Sequence, residues 1–272
     1  MSSSPAAHQW SMRLATLLPA AWIFAGCALF TPPYQTEGSR VKFRNYCSFR
    51  ATHLYAPGTC VDSFYLDTKL VTQTEYRQVM DTNPSHHKEC DSCPVESVKW
   101  QDADAYCRKL GRRLPNFGEW LYGLYVGDPE VSNPQSAEFK RFVELTAWTA
   151  HNSGAETHPV GSLAPSSCGL YDMIGNVGQY LNEAKDPSEF TPDQQKNPRY
   201  KGAKRVYGVA GAGWDTFLHN INPTRFRYVP DFVHESWTGF RCLEPVAREE
   251  SDTVAWPKNK TSEARSSIVP IP

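Results

Sequence analysis

Sulfur and imidazole carry most of the chemistry this sequence could perform. Eight cysteines and eight histidines are spread over 272 residues. Cys90 and Cys93 form a C-x-x-C directly after His86-His87. That spacing suits thiol–disulfide exchange, zinc binding or a closed structural bridge. Exchange wants a helix N-terminus to lower a thiol pKa, whereas here a loop precedes and Pro94 follows. A closed Cys90–Cys93 loop disulfide is therefore expected. Cys47 and Cys60 are available for a further pair. Downstream, His219 and His234 are interspersed with Trp214, Phe217, Arg225, Arg227 and Trp237. Aromatic and guanidinium groups of this kind build a ligand surface, or they pack into an interior. There is no nucleophile elbow with a Ser-His-Asp order, no phosphate loop and no supported carboxylate pair. No catalytic residue is assigned.

So many cysteines favour an exported protein over one from a reducing cytosol. Leu14 to Phe30 is the one long apolar run; it has 17 residues, including Pro19. A spanning helix needs about 20 apolar residues, so the run reads as the h-region of a secretory signal. It contains Phe24-Ala25-Gly26-Cys27, which resembles a lipobox with Cys27 as the lipidated residue. The competing reading is an uncleaved anchor with Cys27 a bystander. The expected organisation is a lipoprotein signal over 1–26, a tether over 27–40, one domain over 41–246 and a disordered tail over 247–272. Ala28, in place of an inner-membrane-retaining Asp, points to the periplasmic side of the outer membrane. With 28 basic and 29 acidic residues, the chain is not a general nucleic-acid binder.

The elements that must position these residues are few. Thr72-Gln73-Thr74-Glu75 and Asn116-Phe117-Gly118-Glu119 are capping boxes, predicting helices to about Met80 and Tyr125. Gln101 to Leu110 is a helix closed by Gly111. Strands are expected over 61–66, 206–209 and 239–242. Glu183 to Lys204, with three prolines, reads as a surface loop.

Five ordered blocks resemble the formylglycine-generating-enzyme (sulfatase-modifying factor) family. They are Phe64-Tyr65-Leu66-Asp67 with Val71-Thr72 and Tyr76-Arg77; Cys93-Pro94-Val95 to Trp100 with Ala105-Tyr106-Cys107; and Arg113-Leu114-Pro115 with Glu119-Trp120. The fourth runs from Asn152-Ser153-Gly154 through Gly169 to Val177. The last is Arg205-Val206 to Trp214 with Gly239-Phe240-Arg241-Cys242. The resemblance spans about 60–245. It implies an α+β, C-type-lectin-like domain with few short helices and strands.

The resemblance also implies sites. Family enzymes oxidise a substrate Cys to formylglycine with O₂ and a copper(I) ion on two cysteines, five residues apart. Thr216 and Ile221 stand at those positions, and copper(I) needs soft thiolates, so copper is not supported. The family's calcium segment falls on Asp172, Gly175, Val177 and Gln179, where Gln replaces the usual Glu. Affinity follows ligand charge, so calcium is the one ion these residues could still take, in a weak or lost site. Where family members carry cysteines matching Cys107 and Cys242, these form a disulfide, which leaves Cys168 unpaired. Trp214, Thr216, His219, Arg225 and Arg227 fall in the family's substrate groove. Together these readings point to a lipid-anchored envelope protein. It would be a non-catalytic module that binds an envelope protein, a peptide or a glycan. The rivals are an oxidoreductase with a non-standard, metal-dependent site and a copper-handling accessory protein.

Overall fold

The computed structural model describes residues 32–47, 60–126, 128, 131, 133–189 and 201–246, and only the backbone of 46, 47 and 60. The expected signal, Cys27 and the expected tail lie outside the described residues. Local chemistry sets the helix starts. The Thr72 hydroxyl accepts the Glu75 N–H at 3.2 Å, and the Glu75 carboxylate accepts the Thr72 N–H at 2.8 Å. This opens α1, Gln73–Met80. Helix α2, Trp100–Lys109, lacks a side-chain cap and ends before Gly111 at φ +71°. Asn116 and Glu119 repeat the reciprocal cap at α3, Phe117–Tyr125. Helix α4, Ala137–Thr146, is capped by Ser136 and buries Phe139, Val143 and Thr146, one face of a 3.6-residue period.

Four strands form one antiparallel sheet in the order β1 (Tyr34–Glu37), β2 (Arg40–Phe43), β5 (Phe64–Asp67), β10 (Leu243–Pro245). Between β2 and β5 a short pair, β3 (Tyr46–Cys47) and β4 (Cys60–Val61), sets the backbones of Cys47 and Cys60 in register. The second sheet has the order β8 (Arg227–Pro230), β7 (Val206–Ala210), β6 (Gly178–Lys185), β9 (Thr238–Gly239). Its first three strands are antiparallel, and β9 runs parallel to β6.

The sheet begins earlier than expected. β1 and the start of β2 lie inside the stretch read as a tether, because Tyr34–Glu37 is an exposed edge strand and its polarity imitates a linker. The expected strand over 61–66 is interrupted, since Asp62 and Ser63 separate β4 from β5. The expected strand over 239–242 is also divided. β9 belongs to one sheet and β10 to the other, and Phe240–Cys242 carries the chain between them. β6 reaches Lys185, into the expected surface loop, because its first half is buried and its second half alternates with solvent.

Two apolar clusters fill the interior. One gathers Phe43, Phe64, Leu66, Trp120, Leu124 and Ile221. The other gathers Tyr76, Tyr106, Leu114, Tyr180 and Phe240, together with the Cys107–Cys242 disulfide. That bridge ties α2 to the segment entering β10. Among the described residues, no helix is long and apolar enough to cross a membrane.

Candidate functional site: a saturated polar hub and an aromatic surface

The segment from Asp172 to Gln179 is a turn built on left-handed backbone. Asp172, Gly175 and Asn176 have φ of 51°, 81° and 58°. At Gly175 a Cβ would lie 2.4 Å from the Trp148 carbonyl oxygen, so only glycine fits. The turn presents its polar groups to Arg241, which is fully buried. Arg241 donates Nε to Gln179 Oε1 at 2.7 Å. It donates to the Asp67 and Thr68 carbonyls at 3.0 and 3.2 Å, and to the Tyr171 and Asp172 carbonyls at 2.6 and 3.2 Å. Burial draws its pKa down to about 10, opposed by the carboxylates of Asp172 and Asp67. Burial also raises the Asp172 carboxyl above its ordinary value; the Gly161 N–H at 2.8 Å, Arg241 and Asn176 act against that shift.

Gln179 is equally committed. Its oxygen accepts from Arg241 and from Trp120 Nε1 at 3.0 Å; its nitrogen donates to the Asp172 and Met173 carbonyls at 2.9 and 3.0 Å. An amide has two acceptor sites and two donor hydrogens, so none is left. These residues do not fit a calcium ion. The side-chain oxygen a cation would need is filled, and a guanidinium shares it.

The aromatic surface is a different environment. Trp214 Nε1 donates to the Ser236 carbonyl at 2.9 Å. Next along the chain, the Arg227 guanidinium lies 3.6 Å over the Trp237 ring. Gly213 lets the two segments meet, since a Cβ there would fall 2.7 Å from that of Trp237. On the other side, His87 meets Trp214 edge-on with ring centroids 5.5 Å apart. The His87 Nε2 atom is buried with no hydrogen-bond partner. Its backbone is anchored instead: the N–H donates to Glu96 at 2.8 Å and the carbonyl accepts from Gln73 at 2.7 Å. In the sequence His87 reads only as half of a His-His pair beside a C-x-x-C; the loop that brings it to Trp214 leaves no periodic signal.

Of the expected groove residues, the structure gathers Trp214 and Arg227, with Trp237. Thr216 lies in the adjoining turn, where its hydroxyl accepts the Gly213 N–H at 3.2 Å and donates to Asp215 at 3.3 Å. Ile221 is buried in the first apolar cluster. Neither a hydroxyl nor a butyl group is a soft donor. His219 stacks on exposed Phe217 at 5.8 Å, and Arg225 is exposed. Among the described residues, no hydrogen bond, ion pair or ring contact joins His219 or Arg225 to the Trp214–Trp237 group.

The cysteines whose side chains are described are accounted for locally. Cys90 and Cys93 are bridged, closing the loop that follows His87. Cys168 is a buried free thiol beside the Gly123 carbonyl and the Ser166 hydroxyl, its pKa raised by burial. Among the described residues, no three His, Cys, Asp or Glu side chains gather as a metal set.

Known proteins share this architecture. A family model described as "Sulfatase-modifying factor enzyme 1-like domain" matches residues 43–246. The chain is 30% identical over 159 residues to the serine/threonine-protein kinase Pkn1 of Chlamydia trachomatis, covering 56% of this chain and 24% of that one. It is 28% identical over 173 residues to the inactive C-alpha-formylglycine-generating enzyme 2 of Mus musculus, covering 58% and 51%. It is 27% identical over 166 residues to the formylglycine-generating enzyme of Streptomyces coelicolor, covering 55% and 52%. The chain thus spans between a quarter and about half the length of these relatives. Among solved structures, Treponema denticola variable protein 1 superposes with a TM-score of 0.59 at 20% identity, covering 78% of this chain and 98% of that one. PvdO from Pseudomonas aeruginosa superposes with a TM-score of 0.54 at 19% identity, covering 76% and 94%. At these identities the two structures show the fold alone.

Proposed function

The chain belongs to the sulfatase-modifying factor enzyme 1-like family, and from that premise we propose that it is a non-catalytic binding module carried at the cell envelope on a lipidated Cys27. Family membership does not decide catalysis, because its relatives include an enzyme named as active and one named as inactive. The observation that carries the reading is the donor set beside Trp214. The resemblance places the copper-binding thiols of the family at Thr216 and Ile221. Here the first is a hydroxyl bound within its own turn and the second is buried among apolar side chains. A copper(I) ion finds no thiolate there. What remains is a surface suited to holding a ligand: an indole, an arginine-capped indole and an imidazole edge. Aromatic and arginine side chains are the residues that dominate binding energy at interfaces. An extended peptide of an envelope protein, or a glycan, fits that chemistry.

The anchor is tested separately. Cys27→Ser is expected to move the protein from the membrane to the soluble fraction of fractionated cells. A variant that stays membrane-bound would instead support an uncleaved apolar anchor.

A further inference from the structure

The two disulfides among the described residues sit in opposite surroundings. Cys107 and Cys242 are both fully buried in the second apolar cluster. Cys90 is partly exposed, on a turn whose next residues, Asp91 and Ser92, face solvent, while its partner Cys93 is buried. That turn is held by much besides its bridge. The Cys93 N–H donates to the Cys90 carbonyl at 3.1 Å. The first N–H groups of α1, on Gln73 and Thr74, donate to the carbonyls of Cys93 and Asp91 at 3.0 and 3.1 Å. The Val160 N–H donates to the Ser92 carbonyl at 2.9 Å, and Arg77 holds the Asp91 carboxylate at 2.7 Å. The bridge spans a separation of only 3 residues, so it removes less chain entropy than a long loop would. The bonds that remain keep the two sulfurs side by side when it opens.

Each sulfur also has a neighbour suited to the reduced state. Cys90 Sγ lies 3.8 Å from the Ser92 hydroxyl, in an exposed contact. A hydroxyl can donate to a thiolate, and a hydrogen bond to the charged form favours that form. Cys93 Sγ lies 3.6 Å from the Thr157 carbonyl oxygen, in a buried contact. A carbonyl only accepts, so it favours the protonated thiol and gains a hydrogen bond once the bridge is broken. The pair is thus polarised, with an outer sulfur beside a donor and an inner one beside an acceptor. In the sequence this C-x-x-C has a loop before it and Pro94 after it. The fold nevertheless brings the N-terminus of α1, the helix end that favours negative charge, against the turn.

We propose that Cys90–Cys93 is a reversible thiol–disulfide exchange centre, with Cys90 as the attacked sulfur and Cys93 as the buried leaving group. Its substrates are compounds with a free thiol. A substrate thiolate attacks Cys90 Sγ and forms a mixed disulfide. The Cys90–Cys93 bond breaks, and Cys93 leaves with the electron pair, takes up a proton and donates that S–H to the Thr157 carbonyl. A second substrate thiolate attacks the substrate sulfur of the mixed disulfide, and Cys90 is released and protonated. Two substrate thiols become one disulfide, and the centre gains two electrons and two protons. Run backwards, the same steps let the dithiol reduce a disulfide. The centre is independent of the binding role proposed for the aromatic surface.

The test uses the full chain, folded, in graded ratios of reduced to oxidised dithiothreitol, followed by acid quench, alkylation and peptide mass spectrometry. Cys90 and Cys93 are expected to become alkylated together at reducing ratios and to re-form their bridge when the ratio is reversed. Cys107–Cys242 should stay closed throughout, and the thermal melt should stay cooperative. This arm needs no variant, so it stands whether or not a substituted chain folds. Single variants then test the polarity. Cys93→Ser leaves the outer thiol, which should form a mixed disulfide with oxidised glutathione about tenfold faster than the inner thiol left by Cys90→Ser. The proposal is overturned if Cys90–Cys93 stays closed at every ratio, or if it opens only together with Cys107–Cys242 or with loss of the fold. It is equally overturned if, in folded variants, the inner thiol reacts as fast as the outer one.

Discussion

The hub around Arg241 and the surface around Trp214 meet in β6, where Gln179 enters the hub and the adjacent Gly178 N–H donates to the Trp237 carbonyl at 2.7 Å, yet they treat polar atoms in opposite ways. In the hub, every side-chain donor and acceptor of Gln179 is used, and Arg241 is held by one side chain and four carbonyls. At the surface, His87 Nε2 has no partner, and charged and aromatic groups face solvent. A closed network stabilises one backbone arrangement; an incomplete one can be completed by something else. In this chain the Asp172–Gln179 turn is a closed polar network, while the neighbouring rim leaves His87 Nε2 unpaired, and the proposed binding role rests on that rim.

The sharpest way to break this contrast is to open the hub. Arg241→Ala would remove the hydrogen bonds to four carbonyls and to the Gln179 oxygen, of which the Thr68 and Asp172 carbonyls and the Gln179 oxygen keep a second donor. Losses from emptying a buried polar network reach about 4 kcal/mol or more. Thermal or denaturant melts should show a protein largely unfolded at room temperature, and a variant melting near wild type would show that the network carries little stability.

The two disulfides among the described residues grade the same contrast. Cys107–Cys242 spans a separation of 135 residues and Cys90–Cys93 one of 3. Loop-closure entropy gives about 5 kcal/mol for the first and about 2 for the second. Cys107→Ser should therefore cost roughly 2–5 kcal/mol, and Cys90→Ser clearly less. Denaturation of both variants without reductant measures the order, and equal losses would contradict it.

At the open end, His219→Ala should change stability by no more than about 0.5 kcal/mol, the usual effect of an exposed substitution. His219 is exposed, and its ring stacks on exposed Phe217. A larger loss in the melt would place His219 within the packed architecture.

How much of this was legible in the sequence follows from the range of each interaction. Both capping boxes lie within four residues, so Thr72/Glu75 and Asn116/Glu119 could be read directly, as could Gly111 at the end of α2. The edge strand Tyr34–Glu37 could not, because its exposed polar residues match those of a linker. Nor could the split at Phe240–Cys242, where one short run serves two sheets and only the third dimension separates them. That neither Thr216 nor Ile221 carries a thiol was visible as residue types. The Arg241–Gln179 lock was not, because it joins positions 62 apart with no local pattern. The meeting of His87 with Trp214 was hidden for the same reason.

The central claim is that the chain binds without oxidising. It is tested most directly by incubating the protein with copper, O₂ and a sulfatase-type Cys peptide, beside a competent formylglycine-generating enzyme, and reading the peptide by mass spectrometry. The account predicts unmodified peptide with this protein and the aldehyde with the control. Appearance of the aldehyde mass with this protein would contradict it and would mean that residues other than a thiolate pair at Thr216 and Ile221 perform the oxidation.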